Sequence, residues 1–219
     1  MPRRGLAARP GGRRGGPHPR AARLPRRRGD GGSPGPDRPA ARGPGSGGGA
    51  VSGPGFRWLS RSPEETREIG ARLGAALAGP MAIFLIGGFG GGKTVFVQGL
   101  ARGLGVPAEL PVTSPSFVLL QDYPGRILLR HVDLYRLETE AEQEAAGLWE
   151  ALAEPVVAAV EWAERLPPRM RREGLTVRFA VLGDTERLLT GEAAGQAAAS
   201  LVGSLDFEPA GAVRPPPEG

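Results

Sequence analysis

Two rhythms of apolar residues run through the middle of the chain. Met81-Ala82-Ile83-Phe84-Leu85-Ile86 is a short continuous apolar run, with the length and composition of a strand buried on both faces. On either side the spacing turns helical: Ile69, Leu73 and Leu77 precede the run, and Phe96, Val97, Leu100, Ala101 and Leu104 follow it. Ser62-Pro63-Glu64-Glu65 predicts the start of the first helix, with Ser62 as N-cap, Pro63 at the first helical position and Glu65 completing a capping box. Gly79-Pro80 ends that helix, and Gly103, Gly105 and Pro107 end the second.

Further along, Phe117 to Tyr123 and Ile127 to Leu134 flank Pro124-Gly125 and predict an antiparallel hairpin. Thr139-Glu140-Ala141-Glu142 is a second capping box, opening a helix through Leu148, Trp149 and Leu152. Val156 to Val160 is another buried strand, with Glu161 at its carboxyl end. Leu175 to Leu182 and Arg187 to Leu189 are expected strands around a Gly183-Asp184 turn, followed by an alanine-rich helix from about Glu192 to Leu205.

The segment between the first apolar strand and the second helix carries the chemistry. Gly87-Gly88-Phe89-Gly90-Gly91-Gly92-Lys93-Thr94 fits G-x-x-x-x-G-K-[ST], in which glycines let consecutive backbone N–H groups close on a phosphate at a helix start. Lys93 is then placed for the β and γ phosphates and the Thr94 hydroxyl for magnesium. Lys93 is the sole lysine of the chain, and with 36 glycines the pattern arises by chance with a probability of roughly 0.002, so accident is a poor explanation. Strand, glycine loop, helix is the order that the motif requires. The expected fold is α/β: a P-loop NTPase-like three-layer sandwich with a mostly parallel central sheet and an antiparallel hairpin.

Other candidates are read by their distance from this loop. The hairpin's second strand brings His131, Asp133 and Tyr135 to one face by period-two alternation. Asp133 is a candidate for magnesium or water positioning, and His131 is as readily a packed, hydrogen-bonded residue as a base. Glu161 competes for the same role, because open α/β sheets place their ligand chemistry at the carboxyl ends of strands. Trp162 suits stacking on a ligand or partner, or a place in the core. The hydroxyls of Thr113-Ser114-Pro115-Ser116 fit a turn and also a loop that senses the γ phosphate.

Composition divides the chain. Residues 1 to 56 hold 12 Arg against 2 Asp and contain 26 Gly or Pro, whereas the other 163 residues carry 16 basic and 21 acidic groups. The high pI therefore belongs to the N-terminal segment, which has too few large apolar residues to offset the entropy of ordering and is expected to be disordered, as is the tail from Pro209. The folded part is expected over residues 57 to 208. The basic segment reads as an RNA-binding arm, an organellar transit peptide or a dispensable extension. Low serine and abundant Gly and Pro weigh against the second, and near-exclusive use of Arg over Lys favours the third. With no cysteine there is neither disulfide nor thiolate metal site, and no apolar run approaches the ~20 residues of a membrane span, so the expected compartment is the cytoplasm.

Thr113-Ser114-Pro115-Ser116-Phe117, His131-Val132-Asp133-Leu134-Tyr135-Arg136-Leu137 and Val160-Glu161-Trp162, in this order after the P-loop, resemble the TsaE (YjeE) family over about residues 60 to 205. The resemblance implies a small bacterial P-loop ATPase that works with the TsaB and TsaD proteins to install threonylcarbamoyl on adenosine next to the tRNA anticodon, meeting tRNA only through that complex. It implies that Thr94 and Glu161 hold magnesium, Lys93 the phosphates of ATP, that Asp133 supports hydrolysis, and that Trp162 lies near the nucleotide or the partner. Departures from the family pattern are Gly88 for an acidic residue, Phe89 for leucine, Gly91 for alanine, Val95 for a second threonine and Ser116 for threonine. A GTPase is disfavoured because the chain has no Asn for a guanine-reading motif. The alternative is a small-molecule P-loop kinase, whose arginine-rich lid could come only from Arg169, Arg171 and Arg172.

Overall fold

A computed structural model describes residues 55 to 205, 208 and 209. In chain order the elements are β1 (Gly55–Ser60), α1 (Pro63–Ala76), β2 (Met81–Ile86), α2 (Lys93–Gly103), β3 (Leu120–Tyr123), β4 (Leu129–Asp133), α3 (Glu140–Ala145), α4 (Leu148–Ala153), β5 (Val157–Glu161), β6 (Gly174–Val181), β7 (Arg187–Ala194), α5 (Gln196–Ser204) and β8 (Glu208–Pro209). They build one sheet in the order β3-β4-β5-β2-β6-β7-β1-β8. Its four central strands, β4, β5, β2 and β6, are parallel. β3 pairs antiparallel with β4 at one edge, while β7, β1 and β8 extend the sheet antiparallel at the other.

The apolar runs bury as their patterns require. Ile83, Leu85, Val157, Ala159 and Val177 face a core with α1, α2 and α5. Phe84, Val132, Ala158 and Val160 face a second core with Leu148, Ala163 and Leu166. Each fully buried large side chain contributes about 1.5–3 kcal/mol. Both sheet faces are thus covered, which gives the expected three layers. Arg126, from the β3–β4 turn, donates to the carbonyls of Gly74 and Leu77 and so satisfies acceptors left open at the end of α1.

Four expectations are revised. Gly55 and Phe56 belong to β1, with Phe56 buried, so folded structure begins before residue 57, and Pro209 lies in β8; the rest of the basic segment, up to residue 54, is outside the described residues. Phe117 to Leu119 precede β3, because Leu119 has φ 69°, outside the strand region. The helix expected through Leu152 is split into α3 and α4 by Gly147, which turns left-handed at φ 70°. Glu192 to Ala194 continue β7, because pairing with β6 outweighs the helix preference of alanine.

α1 and α2 pack backbone to backbone through Gly70 and Gly74 on one helix and Gly99 and Gly103 on the other. A Cβ on Gly99 would stand 1.9 Å from the Arg67 carbonyl oxygen. Gly99→Ala should therefore lower stability by about 1–3 kcal/mol, despite the better helix propensity of alanine. Gly203→Ala, in α5 where a Cβ meets nothing within 4 Å, should instead stabilise by about 0.5–1 kcal/mol. Urea unfolding of both variants checks the contrast; an unharmed Gly99→Ala would refute the close crossing.

Candidate functional site

Strand pairing brings the candidate residues to one place. Leu85 and Asp133 both register with Glu161, so β2, β5 and β4 end at the same level, and the glycine loop starts directly beyond β2. A cavity of about 400 Å³ opens there. It is lined by residues 89 to 95, Ser114, Ser116, Asp133, Tyr135, Glu161 and Trp162.

Gly92 caps α2 with φ 97°, a left-handed conformation that glycine adopts without steric cost, and the helix begins at Lys93. The Lys93 ammonium donates to the carbonyls of Gly87 at 2.6 Å and Gly88 at 3.0 Å, and sits 4.0 Å from the centroid of the Trp162 ring. Two of its three N–H groups are so used, which leaves one for an anion in the cavity. Burial pushes the Lys93 pKa below its ordinary 10.5, although the nearby charges of Glu161, Glu164 and Asp133 favour the ammonium.

One residue further, the Thr94 hydroxyl donates to Glu161 Oε1 at 2.8 Å. His131 Nε2 meets the same oxygen at 2.8 Å. A carboxylate only accepts, so the imidazole donates from Nε2, while Nδ1 is buried without a hydrogen-bond partner. His131 is thus packed and hydrogen-bonded, one of its two sequence readings, and its partner is a site residue.

Asp133 is also buried, at 4% exposure. Its Oδ2 accepts from Ser114 and, at 2.6 Å, from Ser116, and its Oδ1 accepts from the Tyr135 backbone N–H at 2.8 Å. The hydroxyl loop and the carboxylate, 17 and 19 residues apart in the chain, are therefore one unit.

A profile of the family described as Threonylcarbamoyl adenosine biosynthesis protein TsaE matches residues 60–189. The chain belongs to the TsaE family. It is 37% identical over 135 residues to the tRNA threonylcarbamoyladenosine biosynthesis protein TsaE of Treponema pallidum (strain Nichols), covering 62% of this chain and 98% of that protein. With the protein of the same name from Bacillus subtilis (strain 168) it shares 38% over 142 residues, 64% of this chain and 87% of the other. The crystal structure of Bacillus subtilis YdiB superposes with a TM-score of 0.57 at 33% identity, over 68% of this chain and 93% of that one.

Within this TsaE-family site, the residues expected to act together are gathered: the loop from Phe89 to Gly92, Lys93, Thr94, Asp133, Glu161 and Trp162 all line the cavity. Gly87 and Gly88 lie just behind it and take the lysine. Trp162 is half-buried, packed on one side against the second core while lining the cavity. It holds φ 58° at the end of β5 and packs edge-on against Phe89, with ring centroids 4.8 Å apart. Tyr135 completes the cluster, 4.8 Å from Phe89 and 5.3 Å from Trp162, and Arg165 lies over both Tyr135 and Trp162. Sequence reasoning placed Tyr135 on the face of Asp133 but did not see this cluster, since Phe89 and Trp162 are 73 residues apart. Arg169, Arg171 and Arg172 do not line the cavity, and Arg169 pairs with Glu140 of α3.

Because the chain has a single lysine, side-chain labelling of lysine yields one titrating NMR signal. Its midpoint should fall below 10.5. Glu161→Gln should lower it further, because a negative charge that favours the ammonium is removed. A midpoint at or above 10.5 would contradict the burial of the ammonium.

Proposed function

We propose that this protein binds ATP with magnesium and hydrolyses it, as the ATPase component that supports TsaB and TsaD in the threonylcarbamoylation of adenosine next to the tRNA anticodon. The observation that carries the reading is the 2.8 Å contact between Thr94 of the phosphate loop and Glu161 at the end of β5, beside the buried ammonium of Lys93. Membership of the TsaE family and the names of its relatives supply the process.

The donor set fits magnesium. This ion takes hard oxygen ligands, keeps several waters, and binds through one or two protein oxygens plus substrate phosphates. Thr94 Oγ1 and Glu161 Oε1 are such a pair, and no cluster of three or more His, Cys, Asp or Glu that would suit a protein-only metal cage occurs among the described residues. When bound, magnesium would neutralise charge on the phosphate oxygens.

The chain's own groups supply the rest. Loop amides and Lys93 hold the phosphates and stabilise the charge that develops on them during attack by water. His131 fixes the orientation of the Glu161 carboxylate through its Nε2–H. Asp133, bonded to Ser114 and Ser116, ties the hydroxyl loop to the place where the attacking water must sit. Trp162 covers one side of the ammonium, 4.0 Å from its ring centroid, which shields that side from water and strengthens its attraction for phosphate. The setting is the cytoplasm, and no helix among the described residues is long and apolar enough to cross a membrane.

ATP hydrolysis by the full chain, measured alone and with purified TsaB and TsaD, tests the proposal. Slow turnover alone and strong stimulation by the pair are expected, with Lys93→Ala inactive in both settings. Asp133→Asn should keep ATP affinity within about threefold while lowering turnover by roughly 10²-fold or more, since it removes a group needed in hydrolysis rather than in binding. Phosphate appearing on a metabolite instead of in solution would replace the ATPase reading with a kinase.

A further inference from the structure

A loop containing Gly90-Gly91-Gly92 cannot hold its own conformation, because glycine has the most backbone freedom to lose. One side chain that restrains it comes from outside the motif. Arg187, the first residue of β7, reaches across to the loop, where its Nε and Nη2 both donate to the Gly90 carbonyl, at 3.1 and 2.9 Å. Its Nη1 donates to the carbonyls of Gly183 and Glu186 in the β6–β7 turn, at 2.8 and 2.9 Å, and to that of Asp184 at 3.3 Å. The guanidinium therefore joins the loop to the antiparallel extension of the sheet.

We infer that Arg187 is a positioning residue for phosphate binding, which acts by holding the Gly90 carbonyl outward. In a trans peptide the N–H points opposite to the C=O. With the Gly90 oxygen held against Arg187, the Gly91 N–H is directed the other way, into the loop. There it donates to Gly88 O at 3.3 Å, a long bond to an oxygen already engaged by Lys93 at 3.0 Å. Such an N–H is free to transfer to a phosphate oxygen at little cost. The planar fork matters, since two N–H groups converge on one carbonyl while a third side of the same rigid group is anchored in the turn; an ammonium on a flexible stem cannot reproduce this. Arg187 does not line the cavity, and its donors are taken by carbonyls, so it acts through the loop and not on the substrate. This inference rests on the reading of the loop as an ATP site.

Calorimetric titration of the full chain with ATP and magnesium, alongside thermal melts without nucleotide, tests it in Arg187→Ala, Arg187→Lys, Arg178→Ala and Lys93→Ala. Both Arg187 variants should bind ATP about tenfold more weakly, with melting temperatures within about 2 °C of the parent, since only an exposed hairpin loses its anchor. Arg178, on β6 and facing Glu192 at 3.6 Å, is the control and should bind as the parent does. If Arg187→Ala keeps parental affinity while Lys93→Ala loses it, the positioning role is overturned and the ATP site stands. A lower melting temperature with undiminished affinity would make Arg187 a hairpin anchor only and would also overturn it. If the parent itself binds no ATP, the site reading fails and the inference falls with it.

Discussion

Five glycines and one exposed phenylalanine make up the segment from Gly87 to Gly92, so the loop expected to grip phosphate has almost no side chains with which to keep a shape. Its conformation has to be imposed by what surrounds it. Phe179 of β6 stands close beneath Gly87 and Gly91, Thr66 of α1 backs Gly92, and Lys93 gathers the carbonyls of Gly87 and Gly88. Each support comes from a different element. The precision of the site is therefore a property of the whole sheet and of the α1–α2 crossing, not of the motif.

Charge follows the same logic. Lys93 is buried against a tryptophan ring, and burial by itself works against its ammonium form. Glu161, Glu164 and Asp133 offset part of that cost without bonding to the ammonium directly. Glu161 is in turn held by Thr94 and His131, and Asp133 by two serines and a backbone N–H. The result is a set of charges whose mutual orientation is settled before any ligand arrives, which is the condition under which electrostatic stabilisation of a transition state is most effective.

The sheet explains why these groups converge. Its parallel centre sends the carboxyl ends of β2, β4 and β5 to one edge, where the loop, Asp133 and Glu161 meet. The antiparallel strands β7 and β1 add no residue to the cavity lining, yet they carry β6 and its turn alongside the loop. An architecture that is parallel in the middle and antiparallel at both margins so separates the groups facing the cavity from the groups that brace it.

Much of this was legible in the chain alone, wherever the signal was local. Met81–Ile86 and Val157–Glu161 are runs too apolar to lie anywhere but inside a sheet, Ser62 and Thr139 cap helices through bonds spanning three residues, and the glycine loop is contiguous. Those features depend on neighbours in sequence, so sequence determined them. Three things depended on neighbours in space. β1 was not foreseen, because its burial of Phe56 exists only once β7 lies beside it, and the pairing of β7 with β6 draws Glu192 to Ala194 into a strand against the helix preference of alanine. The aromatic cluster of Phe89, Tyr135 and Trp162 joins three separate loops. The sharing of one Glu161 oxygen by Thr94 and His131 turns on angstrom-scale register between β4, β5 and α2, which no periodicity encodes. Sequence determined which chemical groups the protein carries and on which elements; only tertiary packing decided which of them touch, because hydrogen bonds and burial are set by distances that the chain does not have until it is folded.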